Sequence, residues 1–207
     1  KPATITTTSY QSLGGALNVK SSDTSASLQI TDGTIDGSSM ISGPLTATTT
    51  GRGNASVTIQ SGTISLTGAG NAVTALAQRY GDATIAFSSG SVTSANETDA
   101  AMAAKAIGNG AHASVSMTGG SVTARQIALM AEATGVNASA TANVSGGSIT
   151  QSQPFDVAII SSAPLGSAFS TLENVNLSNG VKVEGGVSMD VTLRSAELNE
   201  TADNKGG

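Results

Sequence analysis

The sequence predicts an all-β fold: a right-handed parallel β-helix, or solenoid, of about seven coils with a mean repeat near 29 residues. Three observations carry that expectation. A short motif recurs at near-constant spacing, its apolar residues alternate with period two, and small residues dominate the composition. Ser, Thr, Ala and Gly make up 112 of the 207 residues, while aromatic residues amount to 2%. A core of that kind has few large side chains, so it must be thin and repeated rather than globular.

The motif is Ala-x-apolar-x-apolar-x-x-Gly-x-apolar, with a small or polar residue just before the glycine. It runs Ala26, Leu28, Ile30, Asp32-Gly33, Ile35, then Ala55, Val57, Ile59, Ser61-Gly62, Ile64. The third and fourth copies are Ala83, Ile85, Phe87, Ser89-Gly90, Val92 and Ala113, Val115, Met117, Gly119-Gly120, Val122. The fifth is Ala140, Ala142, Val144, Gly146-Gly147, Ile149. A weaker sixth is Val175, Leu177, Asn179-Gly180, with Glu173 in the alanine slot. Successive glycines are 29, 28, 30, 27 and 33 residues apart. Apolar residues two apart share one face of a strand. The glycine marks a bend that needs positive φ, and the strand resumes beyond it. Each copy is therefore strand, corner, strand, and only stacking on its neighbours buries its apolar face.

The second half of each unit is less regular: Ala72–Ala77, Ala100–Ala104, Ile127–Ala131 and Val157–Ile160. Local propensity there favours helix, most of all from Thr98, a candidate cap, to Ile107, with Gly108 as the stop. Stacking opposes it. Strand rungs rise about 4.8 Å and a helix is about 10 Å across, so a helix in every unit would splay the rod. Val73/Ala75/Ala77 and Ile127/Leu129/Ala131 also fit period two, and a third strand per coil is expected. The six-residue period of a left-handed β-helix and the Gly-Gly-x-Gly-x-Asp of calcium-binding repeats are both missing.

The expected organisation is one domain: a divergent N-terminal coil or cap over 1–25, the repeats over 26–180, and a C-terminal coil or cap with a frayed tail over 181–207. The last 35 residues hold nine of the 23 charged residues, which suits the blunting of an open sheet edge. Ile59, Ile85, Val115 and Val144 are expected to stack as one inward ladder.

Composition narrows the function. A net charge of −5 argues against nucleic acid, which needs a basic surface. With no cysteine there is no disulfide framework, thiolate nucleophile or Cys-ligated zinc. No run of about 18 apolar residues exists to span a membrane as a helix. The N-terminal Lys1-Pro2-Ala3-Thr4 lacks a signal core, so a secreted protein would be represented here by its mature part.

A Cys-free, Ser/Thr/Ala/Gly/Asn-rich β-helix with imperfect Gly-cornered repeats resembles the passenger domains of bacterial autotransporters, of the pertactin-like or AIDA-like adhesin type. The similarity covers 26–180 and lies in repeat style. It implies export through the outer membrane to the cell surface or medium, and a role in adhesion or virulence. It implies no particular functional residue; Gly51-Arg52-Gly53-Asn54 is only close to an integrin-type Arg-Gly-Asp.

Few side chains suggest chemistry. The lone His112 invites a triad with Ser114 and Asp82, but no Gly-x-Ser-x-Gly elbow accompanies it and a surface histidine is the expectation. Asp32 with Asp36, and Glu97 with Asp99, are carboxylate pairs of the kind polysaccharide-cleaving β-helices use. Asp32 is a turn residue, however, and with Tyr10, Tyr80 and no Trp, sugar stacking is poorly supplied. Arg79, Lys105 and Glu132 fall 17, 15 and 12 residues after their corner glycines and suggest a charge column with Arg125 nearby. Tyr80 beside Arg79 is the residue type that interfaces favour. These five residues are the candidate partner-binding set, with loops 67–72, 93–99 and 150–156 as a possible binding face.

The expected function is therefore non-enzymatic and cofactor-free: a secreted or surface-exposed passenger fragment that binds a host-cell receptor or matrix protein. The alternatives are a self-associating aggregation module and a polysaccharide-active enzyme.

Overall fold

A computed structural model describes residues 3–7, 11–13, 17–22, 24–36, 45–66, 70–95, 100–153, 157–177, 179–194, 197–198 and 203–206. All regular structure among them is β-strand, and the strands stack as a parallel β-helix. The first face holds eight parallel strands: Ala3–Thr7, Ala26–Ile30, Ala55–Ile59, Ala83–Phe87, His112–Met117, Ser139–Val144, Ser167–Glu173 and Ser188–Arg194. The second holds Gln11–Leu13, Thr34–Asp36, Thr63–Leu66, Ser91–Ser94, Ser121–Ala124 and Ser148–Gln151, and Asn176–Leu177 pairs separately with Glu197–Leu198. The third again has eight: Leu17–Ser21, Leu45–Thr49, Val73–Ala77, Met102–Ile107, Leu129–Thr134, Val157–Ala163, Gly180–Gly185 and Asp203–Gly206.

Coils are numbered 1 to 8 by their first-face strands. Coils 2 to 6, residues 26–163, form five regular turns with one strand on every face. Two faces reach eight rungs, one more than the motif count predicts. The third strand of each coil is present, and Met102–Ile107 is strand rather than helix. Each rung donates its main-chain hydrogen bonds to the next, so the stack satisfies backbone groups that a lone 28-residue unit would leave open.

The motif alanines lie in register: Ala26 on Ala55, Ala83, Ala113, Ala140 and Ala168. The expected single ladder of Ile59, Ile85, Val115 and Val144 is two ladders. Val57, Ile85, Val115 and Ala142 form one, and Ile59, Phe87, Met117 and Val144 the next. Ile59 and Val144 lie three residues before their glycine and Ile85 and Val115 five, which is two different positions on the strand. All eight of these residues are buried. The sixth copy is also displaced. Its strand is Ser167–Glu173, with Ala168, Ser170 and Leu172 inward, and Asn174 at φ 54° turns the corner. Gly180 instead begins the third-face strand opposite Val157. Asn204 to Gly206, expected to fray, pair with Val183 to Gly185.

The third face supplies a small-residue wall, Ala47, Ala75, Ala104 and Ala131, against the larger first-face ladders, so the thin core is filled without bulky side chains. Where the alanine ladder becomes Ser161, the first-face residue Ser170 meets it at 3.1 Å, and Ser161 Oγ also donates to the Phe169 carbonyl. At the first corner a glycine is required. Gly90 has φ 92°, and a Cβ there would lie 2.1 Å from the Gly62 carbonyl oxygen.

Candidate functional site

The structure separates the five candidate partner-binding residues into three places. Lys105 and Glu132 are in register neighbours on the third face. Arg79 does not continue their column; Leu76 occupies that place, and Arg79 lies past the end of the strand at the turn into the first face. Tyr80 follows it. Arg125 sits at the opposite corner, after the second-face strand Ser121–Ala124, half-buried with its main-chain nitrogen on Ser94 O. Counting from the first corner carries in the variable length of the second, which is why the column failed. The central residues of the three candidate loops, 67–69, 96–99 and 154–156, lie outside the described residues, as do Tyr10, Glu97, Thr98 and Asp99.

The turn from third face to first is the distinctive surface of the rod. Tyr80, Ile107, Val136, Leu165 and Val187 lie there on successive turns, 44 to 71% exposed. Among the described residues the other exposed large apolar side chains are Phe169 and Leu193. Main-chain bonds tie the row rung to rung: Tyr80 N to Ile107 O, Gly110 N to Val136 O, Asn137 N to Leu165 O, and Val187 N to Gly166 O. The row spans four rung intervals, about 19 Å at the usual strand spacing. Contiguous exposed apolar surface on a soluble protein marks an interaction site far more often than scattered single residues do.

Tyr80 anchors the N-terminal end of this edge. Its φ is 61°, a left-handed conformation that costs an aromatic residue about 1–3 kcal/mol. Two later coils place Gly110 (φ 72°) and Asn137 (φ 57°) at their turns, residues that adopt this conformation readily. The Arg52 guanidinium lies 5.7 Å from the Tyr80 ring centroid, within cation–π range. On the next coil Gly108 leaves room for the ring, since a Cβ there would come within 2.8 Å of Tyr80 Cδ1. Between the coils lies a shallow cleft of about 220 Å³ lined by Gln78, Arg79, Tyr80, Ile107, Gly108 and Asn109. Neither Arg79 nor Lys105 forms an ion pair among the described residues; the pair present there is Lys182–Glu184 at 3.9 Å.

The possible catalytic groups are built into the scaffold. His112 Nδ1 contacts Ser139 Oγ on the following coil. Asp82 Oδ1 accepts the main-chain N–H of His112 at 3.0 Å rather than its ring. A triad needs the acid on the imidazole, whereas Asp82 holds the His112 main chain and the ring contacts Ser139 rather than the candidate Ser114. They belong to a polar ladder at the start of the first face, in which Asn54 N bonds Ser25 Oγ and Asp82 N bonds Asn54 Oδ1. Asp32 Oδ1 caps its own turn through Gly33 N, and Ser65 Oγ reaches Asp36 Oδ1 at 3.4 Å. A second cleft, about 350 Å³ along the glycine corner, is lined by Asp32, Gly33, Thr34, Ser61, Gly62, Thr63 and Gly90. No group of three or more His, Asp or Glu among the described residues is disposed to hold a metal.

Of the residues at this edge, the sequence singles out Arg79 and Tyr80 as candidates, but not Arg52, Ile107, Val136, Leu165 and Val187. One signal was present. Ile107, Val136 and Leu165 each fall one to three residues beyond an inward alanine (Ala106, Ala133, Ala163), where the alternation has ended and small polar residues are the norm. No family model matches the chain, and no curated protein or solved structure matches it.

Proposed function

We propose that this β-helix is a non-enzymatic binding module, of the kind carried as a passenger to the bacterial surface or medium, and that it adheres to a host-cell or matrix component. The observation that carries the reading is the row of Tyr80, Ile107, Val136, Leu165 and Val187 along one edge of a rod whose other outward positions are mostly Ser and Thr. A solenoid adds binding area by repetition, and the residues that break its polar coat define where a partner sits. The incorporation of Asp82, His112 and Asp32 into main-chain hydrogen bonds supports a scaffold role for them rather than a catalytic one.

Binding of purified chain to a panel of host cells and matrix proteins tests the reading. Leu165→Ser should weaken the captured interaction at least about tenfold, as loss of a central apolar anchor does. Thr123→Ala, on the outer side of the second face, should leave it unchanged. Equal binding by both variants would remove the edge from consideration. Concentration-dependent sedimentation abolished by Leu165→Ser would identify the partner as another copy of the chain.

A further inference from the structure

We propose that the N-terminal end of this edge, around Tyr80, is a binding site for an anionic saccharide, a sulfated or carboxylated sugar residue. The inference rests on the reading of this edge as the partner-facing surface and names the chemistry it recognises. Four observations meet there. Arg52, beside the Tyr80 ring, and Arg79, in the wall of the cleft, lie on adjacent coils of a chain whose net charge is −5, and neither is neutralised by an ion pair among the described residues. The nearby acid, Asp82, has its Oδ1 on the main-chain N–H of His112.

The cleft of about 220 Å³ is the size of one sugar ring and is not enclosed by charge alone. Gln78 and Asn109, both exposed, line it, and carboxamides are the donor-and-acceptor groups that ring hydroxyls need. Asn109 Oδ1 accepts Val136 N at 3.0 Å, which orients the amide and leaves its NH2 to donate. Ile107 and the Tyr80 ring supply apolar surface for the C–H face of a sugar. The guanidinium groups supply the planar forks that fit sulfate and carboxylate oxygens.

The last observation is the strain. Glycine or asparagine would relax the backbone at Tyr80 (φ 61°), yet a tyrosine stands there, held between Arg52 and Gly108. Backbone strain of this kind concentrates at ligand-holding positions.

Titration of the intact chain with three defined hexasaccharides tests the proposal: a sulfated uronate-containing one, hyaluronan as a carboxylate-only one, and neutral chitohexaose. At least one anionic probe should bind, weakening steeply as salt is raised, and the neutral one should not. Comparing the sulfated and carboxylated arms assigns the anion. Arg79→Ala and Arg52→Ala should each weaken binding about tenfold, the value of a charge-assisted contact. Arg194→Ala, on the last coil, should leave it unchanged. Tyr80→Asn should lose binding while its unfolding transition stays near the parent's, which separates ligand contact from fold. Three results overturn the site: no preference for anionic over neutral sugar, equal loss in Arg194→Ala, or equal binding of an oligoglutamate peptide. If anionic sugars fail but Leu165→Ser still abolishes adhesion, the edge remains the adhesive surface and only its ligand class is wrong.

Discussion

Val115 and Ser116 are adjacent in the middle of the rod and face opposite ways. Val115 is fully buried, whereas the Ser116 hydroxyl lies on the outer side near Ile85 O. Val115→Asp places a carboxylate among apolar ladders with no partner and should cost several kcal/mol. Ser116→Asp should cost under about 0.5 kcal/mol. Urea unfolding of the two variants measures both, and equal loss would refute the inward and outward assignment. Glycines divide the same way. At Gly90 an alanine meets the Gly62 carbonyl at 2.1 Å and is also strained in φ. At Gly110, φ 72°, an added Cβ meets nothing within 4 Å. Gly110→Ala should therefore cost only the left-handed backbone term, about 1–2 kcal/mol, and Gly90→Ala clearly more, because two rungs must move apart.

Among elements, the strands were the most legible part of the sequence. Ala26, Ala55, Ala83, Ala113 and Ala140 fix the register because a one-residue slip would turn every inward residue outward. The third strand was legible for a different reason: rung spacing forbids a helix that the local propensity of Ala101–Ala106 would allow. Corners were not legible to the same degree. Asn174 does the work of a glycine there, and the shift from Leu76 to Arg79 arises from turns of unequal length, which alternation does not record. The exposed apolar edge lies at just such corners, so its residues could be named singly but not assembled. Ser161 and Ser170 offer a test of how elements communicate across the core. Ser161→Ala leaves a buried hydroxyl with its partner removed and should cost about 1–2 kcal/mol. Adding Ser170→Ala should recover part of that loss, and a strictly additive double variant would show that the two hydroxyls do not depend on each other.

The whole molecule is a one-dimensional stack in which each coil touches mainly its neighbours. Excising residues 83–112 removes one complete coil and joins Asp82 to Ala113, the position that Ala83 held in register. The shortened chain should keep its strand circular dichroism and unfold cooperatively. Removing only 83–97 should not, since the remaining half coil can align with neither neighbour. Scattering would report the difference as a rod shorter by about one rung, 4.8 Å, against an expanded chain. Loss of structure in both would mean that the coils are not interchangeable units.

The rung-to-rung main-chain bonds, from Ala26 N on Asn54 O to Ser167 N on Ala138 O, run along the long axis of the rod. Their direction sets how the molecule bears load. Pulled end to end, it presents its bonds in series, so only those of the outermost coil resist at any moment. It should yield at low force as a succession of similar steps, peeling like tape instead of snapping. Each peeled coil of about 28 residues would release roughly 95 Å of extended chain. A stack of this kind absorbs a tug by lengthening, coil by coil, rather than by breaking at once.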